Sequence, residues 1–93
     1  MRFRLLYHPD VKEKDLILIP ANIKKRLQKA IEERLLTEPL KYGLPLKRSL
    51  KGYRKLRVGD YRVIYRLEKN SVIILKIGHR KEIYSGYQKR IDD

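Results

Sequence analysis

The feature that most constrains the fold is a pair of alternating runs joined by a short turn. The runs span residues 53–58 and 61–67, on either side of Gly59 and Asp60. In each run, apolar side chains recur at every second position. Because the side chains of a β-strand alternate between two faces, each run has one apolar side. The pattern predicts a β-hairpin. Its apolar side consists of Leu56, Val58, Tyr61, Val63, Tyr65 and Leu67.

The other side of the predicted hairpin is basic. Residues 41–66 contain nine Lys or Arg and a single acid, Asp60. A hairpin brings four of these cations to one face, with neighbours on a strand roughly 7 Å apart, which suits successive phosphates of a nucleic acid. These four are Lys55, Arg57, Arg62 and Arg66. The ordinary solvated side of an antiparallel sheet is also polar, but it mixes both signs of charge. This face is almost entirely positive, so we interpret it as a surface for an anionic partner.

Length and charge narrow the class of protein. A chain of 93 residues predicts a single domain over residues 1–93, with room for about one layer of helix on one sheet. The chain has 24 Lys and Arg against 11 Asp and Glu, a formal net charge of +13. Such an excess predicts attraction to RNA, DNA or an acidic protein.

The remaining pattern predicts an α+β fold. The expected elements, in chain order, are an N-terminal strand at residues 2–7, a helical hairpin at 11–19 and 20–36, a three-stranded antiparallel meander at 52–58, 61–68 and 71–77, and a short C-terminal helix at 81–90. Pro39, Gly43 and Pro45 predict an irregular linker before the meander. On the last strand, alternation predicts one shared face for Ile73, Leu75 and Ile77, with Lys76 on the other face.

Several kinds of site are excluded. The chain has no cysteine, which excludes disulfides, thiolate metal sites and a cysteine nucleophile. His8 and His79 lie far apart without paired carboxylates, so we expect neither a metal nor a cofactor. The apolar runs are too short to span a bilayer and no signal-peptide core follows the first residues, so we expect a cytoplasmic protein. An enzyme of this composition works with Lys, Arg, Tyr or His.

These residue types suit the cleavage of RNA by its own 2′-hydroxyl. The substrate supplies the nucleophile, so the protein aligns it, stabilises negative charge on the phosphate and manages two protons. The planar guanidinium of Arg donates two parallel hydrogen bonds to a phosphate, whereas Lys acts as a compact point charge. A tyrosine among cations is suited to act as a general base, because positive charge favours the phenolate.

Two stretches resemble the RelE/ParE superfamily of toxins from toxin–antitoxin pairs. They are LKGYRKLRVGDYRVIY at residues 50–65 and GHRKEIY at residues 78–84. The resemblance implies a small α/β toxin fold and a RelB-like antitoxin partner with an acidic region. It also implies one of two activities. The RelE branch cleaves messenger RNA in the ribosomal A site without a metal, whereas the ParE branch poisons DNA gyrase and is not a nuclease.

The RelE branch implies four catalytic positions in this chain. By resemblance, Lys55 stabilises charge or helps deprotonation, Arg62 holds the scissile phosphate, Arg80 protonates or neutralises the leaving 5′-oxygen, and Tyr84 is the general base. His79 is a second possibility for the acid, but neighbours in an extended stretch face opposite ways, so we favour Arg80. Two of these residues also have an alternative role that is purely structural. Tyr84 is then an aromatic anchor for the C-terminal segment, and Arg80 is a cap on a strand end.

Other residues are expected to bind RNA rather than to take part in the chemistry. These are Lys47, Arg48, Lys51, Tyr53, Arg57, Arg66 and Lys76. Tyr53 stands where the RelE pattern often has a second lysine, and we expect its ring to stack on a base. We expect the other six residues to contact the RNA backbone. The alternative is that they form the ordinary solvated face of the sheet.

Three functions remain open on the sequence. The first is a ribosome-dependent, metal-independent messenger RNA endonuclease, the second a toxin directed at gyrase, and the third a non-catalytic RNA-binding protein. A cationic surface of this kind attracts RNA indiscriminately, so we expect an antitoxin that covers the sheet or displaces the segment holding Tyr84.

Overall fold

The computed structural model describes residues 3–46 and 53–84, and these form a five-stranded sheet with helical segments on one face. After β1 (Arg4–Tyr7), the first helical segment consists of a π-helical turn at Val11–Asp15 and a 3₁₀ turn at Leu16–Leu18. Helix α1 (Ala21–Ala30) continues as a π-helical turn at Ile31–Leu35, and α2 (Pro39–Tyr42) follows. The other strands are β2 (Leu44–Pro45), β3 (Tyr53–Val58), β4 (Tyr61–Glu68) and β5 (Ser71–His79).

The sheet has the strand order β1-β5-β4-β3-β2. Strand β1 runs parallel to β5, and all other neighbours are antiparallel. Strands β3, β4 and β5 form the expected meander, and β3 joins β4 through a turn in which Gly59 has a φ of +60°, a conformation that glycine adopts without strain. The α+β fold class is therefore confirmed.

A single apolar stripe holds the helices on the sheet. Leu27, Ile31 and Leu35 recur at every fourth position of α1 and its continuation, so they lie on one side of the helix. All three are buried against strand residues that include Leu56 and Val63. Burial of one such side chain contributes about 1.5–3 kcal/mol, so this stripe is a major source of stability.

The predicted linker is wrong in detail, because residues 39–45 form α2 and the edge strand β2. Side chains from the sheet hold this segment in place. The Tyr65 hydroxyl donates a hydrogen bond of 2.7 Å to the Pro39 carbonyl. The Arg54 guanidinium donates to the carbonyls of Leu40, at 3.1 Å, and of Gly43. These contacts join residues far apart in sequence, so local pattern did not predict them.

The prediction that Ile73, Leu75 and Ile77 share one face of β5 is also wrong. Tyr65 pairs with Ile74 and Ile64 pairs with Lys76, so Leu75 is an extra residue on β5. Such a bulge reverses the alternation beyond it. Ile77 therefore packs on the helix side, whereas Ile73 and Leu75 pack in a second cluster on the opposite face. The second cluster also contains Leu46, Tyr53, Ile64 and Ile83.

The chain ends differ from the expected elements in extent. Strand β5 extends to His79, two residues beyond the prediction. Residues 80–84 form a turn, and the rest of the predicted C-terminal helix lies outside the described residues. No helix in the described part of the chain is both long and apolar enough to cross a membrane.

Gly43 generates the first prediction. A Cβ atom at this position falls 1.6 Å from the Tyr65 hydroxyl oxygen, so Gly43→Ala must displace Tyr65 and break its bond to Pro39. We expect Gly43→Ala to lower the free energy of unfolding by about 2–4 kcal/mol, through overpacking and the loss of a buried hydrogen bond. Urea denaturation measures this loss of stability.

The matched control is Gly78→Ala. There the nearest atom to a new Cβ is Ile83 Cδ1 at 3.4 Å, an ordinary van der Waals contact. Gly78→Ala should change stability by less than about 1 kcal/mol. Equal effects of the two substitutions would contradict the proposed lock between α2 and the sheet.

Tyr65 also predicts a dependence of stability on pH. Burial raises the pKa of Tyr65 above its usual value of 10.0, and the neighbouring Arg54 opposes this shift. Above pH 10 the tyrosine of the unfolded chain ionises first, so the free energy of unfolding falls as the pH rises through this window. Burial raises the pKa of Tyr7 as well. Tyr65→Phe should therefore make the fall shallower without abolishing it in urea titrations between pH 9 and about 11.

Candidate active site

The candidate site lies on the face of the sheet opposite the helices. The hairpin register places Arg57 directly beside Arg62, and Lys55 beside Ile64, which is paired in turn with Lys76 on β5. Paired residues of neighbouring strands share a face. The resulting surface, which we call the basic face, contains Lys55, Arg57, Arg62, Arg66 and Lys76.

Arg57 and Arg62 are like charges on directly opposite positions, an arrangement that destabilises a sheet in the absence of an anion. The Nη1 atom of Arg62 donates hydrogen bonds to the carbonyls of Gly59, at 2.8 Å, and Tyr61, at 2.9 Å. The turn therefore fixes the Arg62 guanidinium near the hairpin tip, while Arg57 remains exposed.

A turn after β5 folds back onto the basic face. The His79 carbonyl accepts hydrogen bonds of 2.9 Å from the backbone N–H groups of both Glu82 and Ile83. Ile83 is fully buried in the second cluster, and it packs beside Gly78. This buried anchor determines where the next residue, Tyr84, lies.

Tyr84 meets Lys55 on the basic face. The Lys55 Nζ atom lies 5.6 Å from the centroid of the Tyr84 ring, within the range of a cation–π contact. The residue as a whole is 42% exposed, so Tyr84 rests on the protein and is still partly accessible to a ligand. The structure thus brings together a tyrosine and a lysine that lie 29 positions apart in the sequence.

Arg80 lies at the tip of the β3–β4 hairpin. Its backbone N–H donates a hydrogen bond of 2.8 Å to the Asp60 carbonyl, and its Nε atom is 3.8 Å from the Asp60 carboxylate. Both side chains of this ion pair are more than half exposed, so it holds Arg80 only weakly. Arg62 and Arg80 are therefore both attached to the Gly59-Asp60 turn. Lys55 lies two residues before Arg57, the partner of Arg62 on β3.

His79 lies on the other side of the sheet. It pairs with Tyr61, which packs against the helix-side core, and the two rings meet edge to face at 5.6 Å between centroids. The His79 Nδ1 atom accepts a hydrogen bond of 3.2 Å from the Lys81 N–H. In this arrangement the imidazole is directed away from the face that holds Lys55.

Tyr53 and Arg66 support one another at the far end of the basic face. Tyr53 is only 6% exposed and belongs to the second cluster, so its ring has no open face for base stacking. Arg66 Nη1 donates to the Tyr53 hydroxyl at 3.4 Å, and its Nη2 atom forms an ion pair with Glu68. Three residues expected to bind RNA lie outside the described residues: Lys47, Arg48 and Lys51.

Sequence reasoning missed two residues that position the site. Ile83 was part of the resembling segment, but its burial depends on the turn at residues 80–84, which folds it onto the second cluster. Asp60 was noticed only as the single acid among residues 41–66, which was the available signal that it pairs with a cation.

Comparisons with known proteins agree with this architecture. Residues 4–84 match the family model of the ParE toxin of type II toxin–antitoxin systems, parDE. The chain is 38% identical over 73 residues to toxin RelG of Mycobacterium tuberculosis, covering 76% of this chain and 84% of RelG. It is 36% identical over 78 residues to toxin RelE3 of Methanocaldococcus jannaschii, covering 80% and 88% of the two chains.

A solved structure extends the likeness to the fold. A chain of the toxin–antitoxin complex RelBE2 from Mycobacterium tuberculosis superposes with a TM-score of 0.78 at 30% identity, covering 88% of this chain and 95% of that one. The fold and the matched residues thus define a small toxin of the type II toxin–antitoxin class. The chain belongs to the ParE toxin family, within the RelE/ParE superfamily, and its relatives include RelE-type toxins.

Ile83 generates a prediction about the site. Truncation of a fully buried isoleucine removes apolar contacts and leaves a cavity, so Ile83→Ala should lower the free energy of unfolding by about 2–5 kcal/mol. It should also weaken the NMR cross-peaks between the Lys55 side chain and the Tyr84 ring, because the anchor of the turn is lost. Urea denaturation and NMR measure the two effects.

Ile17→Ala is the matched control, since Ile17 is 71% exposed. It should change stability by no more than about 0.5 kcal/mol and leave the Lys55–Tyr84 cross-peaks intact. Intact cross-peaks in Ile83→Ala would show that Tyr84 is held by something other than this anchor.

Proposed function

We propose that this toxin is a ribosome-dependent, metal-independent messenger RNA endonuclease that cleaves by attack of the 2′-hydroxyl on the scissile phosphate. One observation supports the proposal above all. Tyr84 lies in contact with Lys55 on the same face as Arg62, and Arg80 is attached to the adjoining turn. A base, an electrostatic stabiliser and two phosphate-binding cations thus border one exposed surface.

The first half of the reaction uses the tyrosine. Tyr84, in its phenolate form, accepts the proton of the 2′-hydroxyl as general base, and the ammonium of Lys55 stabilises the negative charge that develops beside it. This proton returns to the solvent after cleavage, which restores the base. The 2′-oxygen then forms a bond to phosphorus. Arg62 stabilises the extra negative charge on the phosphate oxygens, and the turn that fixes its Nη1 atom reduces the reorganisation this requires.

The second half releases the 5′-oxygen. The bond from phosphorus to this oxygen breaks, leaving a 2′,3′-cyclic phosphate on one fragment and a 5′-hydroxyl on the other. A guanidinium does not give up its proton at neutral pH, so Arg80 neutralises the leaving oxygen, which takes a proton from water. The ion pair of Arg80 with Asp60 is exposed and weak, so a phosphate can replace it.

Dependence on the ribosome follows from the shape of the site. The basic face is an open sheet surface on which Arg57 is exposed. Arg80, at the adjoining turn, is exposed as well. Such a surface attracts RNA but does not enclose it, so it supplies little of the orientation that in-line attack needs. A ribosome that holds the messenger in a fixed path supplies the missing order.

An antitoxin partner is part of the proposal. The similar RelBE2 structure is that of a toxin–antitoxin complex. We expect a RelB-like antitoxin whose acidic segment covers the basic face or displaces the turn that holds Tyr84. Covering the basic face places acids beside Arg57 and Arg62, which relieves their repulsion, and blocks RNA. Displacing the turn removes Tyr84 from Lys55.

A second candidate function is poisoning of DNA gyrase without nuclease activity. The observation that favours it is the match of residues 4–84 to the ParE toxin model. The first proposal takes precedence because the contact between Lys55 and Tyr84 serves proton transfer, and a protein that only blocks gyrase has no need of it.

The test is primer extension on programmed ribosomes. Tyr84→Phe should lower the rate constant for cleavage about 10²–10⁴-fold, because the general base is lost. Arg80→Ala should lower it about 10²–10³-fold through the loss of electrostatic stabilisation. Wild-type protein should leave breaks at defined codon positions.

Tyr42→Phe and Arg4→Ala are the controls. Tyr42 is 44% exposed, close to the exposure of Tyr84, and Arg4 is an exposed cation on β1. Both variants should cleave like wild type, and circular dichroism should show all four variants folded. Cleavage unaffected by Tyr84→Phe and Arg80→Ala would overturn the mechanism. Inhibition of gyrase supercoiling without ribosomal cleavage would favour the second candidate.

A further inference from the structure

Helix α1 presents cations without acids. Its ten residues include no Asp or Glu, and its four basic residues are all exposed. These are Lys24, Lys25, Arg26 and Lys29. A solvated helix ordinarily mixes both signs, because opposite charges one turn apart stabilise it and like charges destabilise it. The acids Glu32 and Glu33 follow in the next turn, so the excess of positive charge is limited to α1 itself. Of its four cations, Arg26 and Lys29 lie on the side of α1 that faces β3.

Arg26 links α1 to the hairpin tip. A Cβ atom on Gly59 falls 3.1 Å from Arg26 Nη1, so the guanidinium lies directly against the turn. The same turn accepts a hydrogen bond from the Arg62 guanidinium at the Gly59 carbonyl, and its Asp60 carboxylate pairs with the Arg80 guanidinium. Three guanidinium groups from three different elements thus surround two turn residues.

A groove of about 340 Å³ runs between α1 and the edge of β3 at this point. Its lining includes Arg26, Lys29, Arg34, Arg57 and Gly59, together with one acid, Glu33. Arg57 belongs both to this groove and to the basic face. The two cationic surfaces are therefore continuous around the hairpin tip.

The groove brings together several cations that have no carboxylate partner, as is the case for most basic residues that the structure describes. Lys14, Lys41, Arg66 and Arg80 each have a carboxylate within 4.0 Å. In the described part of the chain, Arg26, Lys29 and Arg57 form no ion pair, even though Glu33 lines the same groove. Uncompensated like charges repel one another, so this arrangement has a cost that a bound anion removes.

We propose that the groove between α1 and the hairpin tip binds the phosphodiester backbone of RNA as it leaves the basic face. The inference rests on the proposed function, which supplies RNA as the ligand. Arg26 and Lys29 neutralise phosphates that flank the reacting one, and they position the strand without reading its bases. The strand belongs either to the messenger or to ribosomal RNA, which share this chemistry.

The test compares two double variants with the same loss of charge. Arg26→Gln/Lys29→Gln removes the groove cations. Lys12→Gln/Lys24→Gln is the control, since Lys12 and Lys24 line a separate groove between the first helical segment and α1. Both are made in a Tyr84→Phe background, which keeps the RNA intact, and binding is measured to a single-stranded RNA and to programmed ribosomes.

We expect Arg26→Gln/Lys29→Gln to weaken binding about 10-fold or more at low salt. On single-stranded RNA, the slope of log K against log salt should become shallower by about 1.4, the value for two lost phosphate contacts. The control should keep the wild-type slope. Weakening on free RNA assigns the groove to the messenger, and weakening only on ribosomes assigns it to ribosomal RNA. Equal weakening by both double variants, or by neither, would overturn the inference.

Cleavage separates this inference from the proposed function. With the native Tyr84, Arg26→Gln/Lys29→Gln should raise KM about 10-fold and leave kcat unchanged, because the groove binds the substrate but does not contact the reacting atoms. If wild-type protein binds RNA through the groove and cleaves nothing, the endonuclease fails and the groove stands. If wild type cleaves and the double variant has an unaltered KM and unaltered binding, the groove fails and the endonuclease stands.

Discussion

The register between β3 and β4 is the constraint on which the whole structure depends. It places Leu56 opposite Val63 on the helix side, and Arg57 opposite Arg62 on the basic face. A slip of one residue moves every side chain of a strand to the other face, so it buries cations and exposes the core at once. The Gly59-Asp60 turn fixes this register. The same turn binds Arg62 and Arg80 and contacts Arg26, so one hairpin determines both the core and the candidate site.

The basic face is stable because its repulsion is balanced elsewhere. Like charges opposite one another cost a fraction of a kcal/mol per pair, whereas each buried side chain of the α1 stripe contributes about 1.5–3 kcal/mol. The second cluster adds burial on the functional side of the sheet, where Ile64 and Ile83 are fully covered. Ile83 thus both stabilises the sheet and positions Tyr84, so loss of this cluster affects the site as well as the fold.

The parts of the fold that follow from local pattern were predicted, and those that depend on distant contacts were not. Alternation predicted the hairpin and placed Lys55, Arg57 and Arg62 on one face. The bulge at Leu75 changes phase through a single extra residue, which an alternating run does not reveal. Segment α2–β2 depends on bonds from Arg54 and Tyr65. The family resemblance implied a shared site for Tyr84 and Lys55, but alternation and helical periodicity did not predict the packing of Ile83 that brings them together. None of these contacts has a local signature.

Asp60 lies where two cationic surfaces meet, the basic face and the groove between α1 and the hairpin tip. It is the single acid among residues 41–66, yet it lies at the tip of the hairpin rather than in the middle of the basic face. An acid in the middle would neutralise Arg57 or Arg62 and repel a phosphate. At the tip it pairs with Arg80 at the boundary between the basic face and the groove between α1 and the hairpin tip. In the proposed path, an RNA strand that passes from one surface to the other runs beside Asp60. Its carbonyl holds the Arg80 backbone, so a phosphate can take the guanidinium from the carboxylate without releasing the turn.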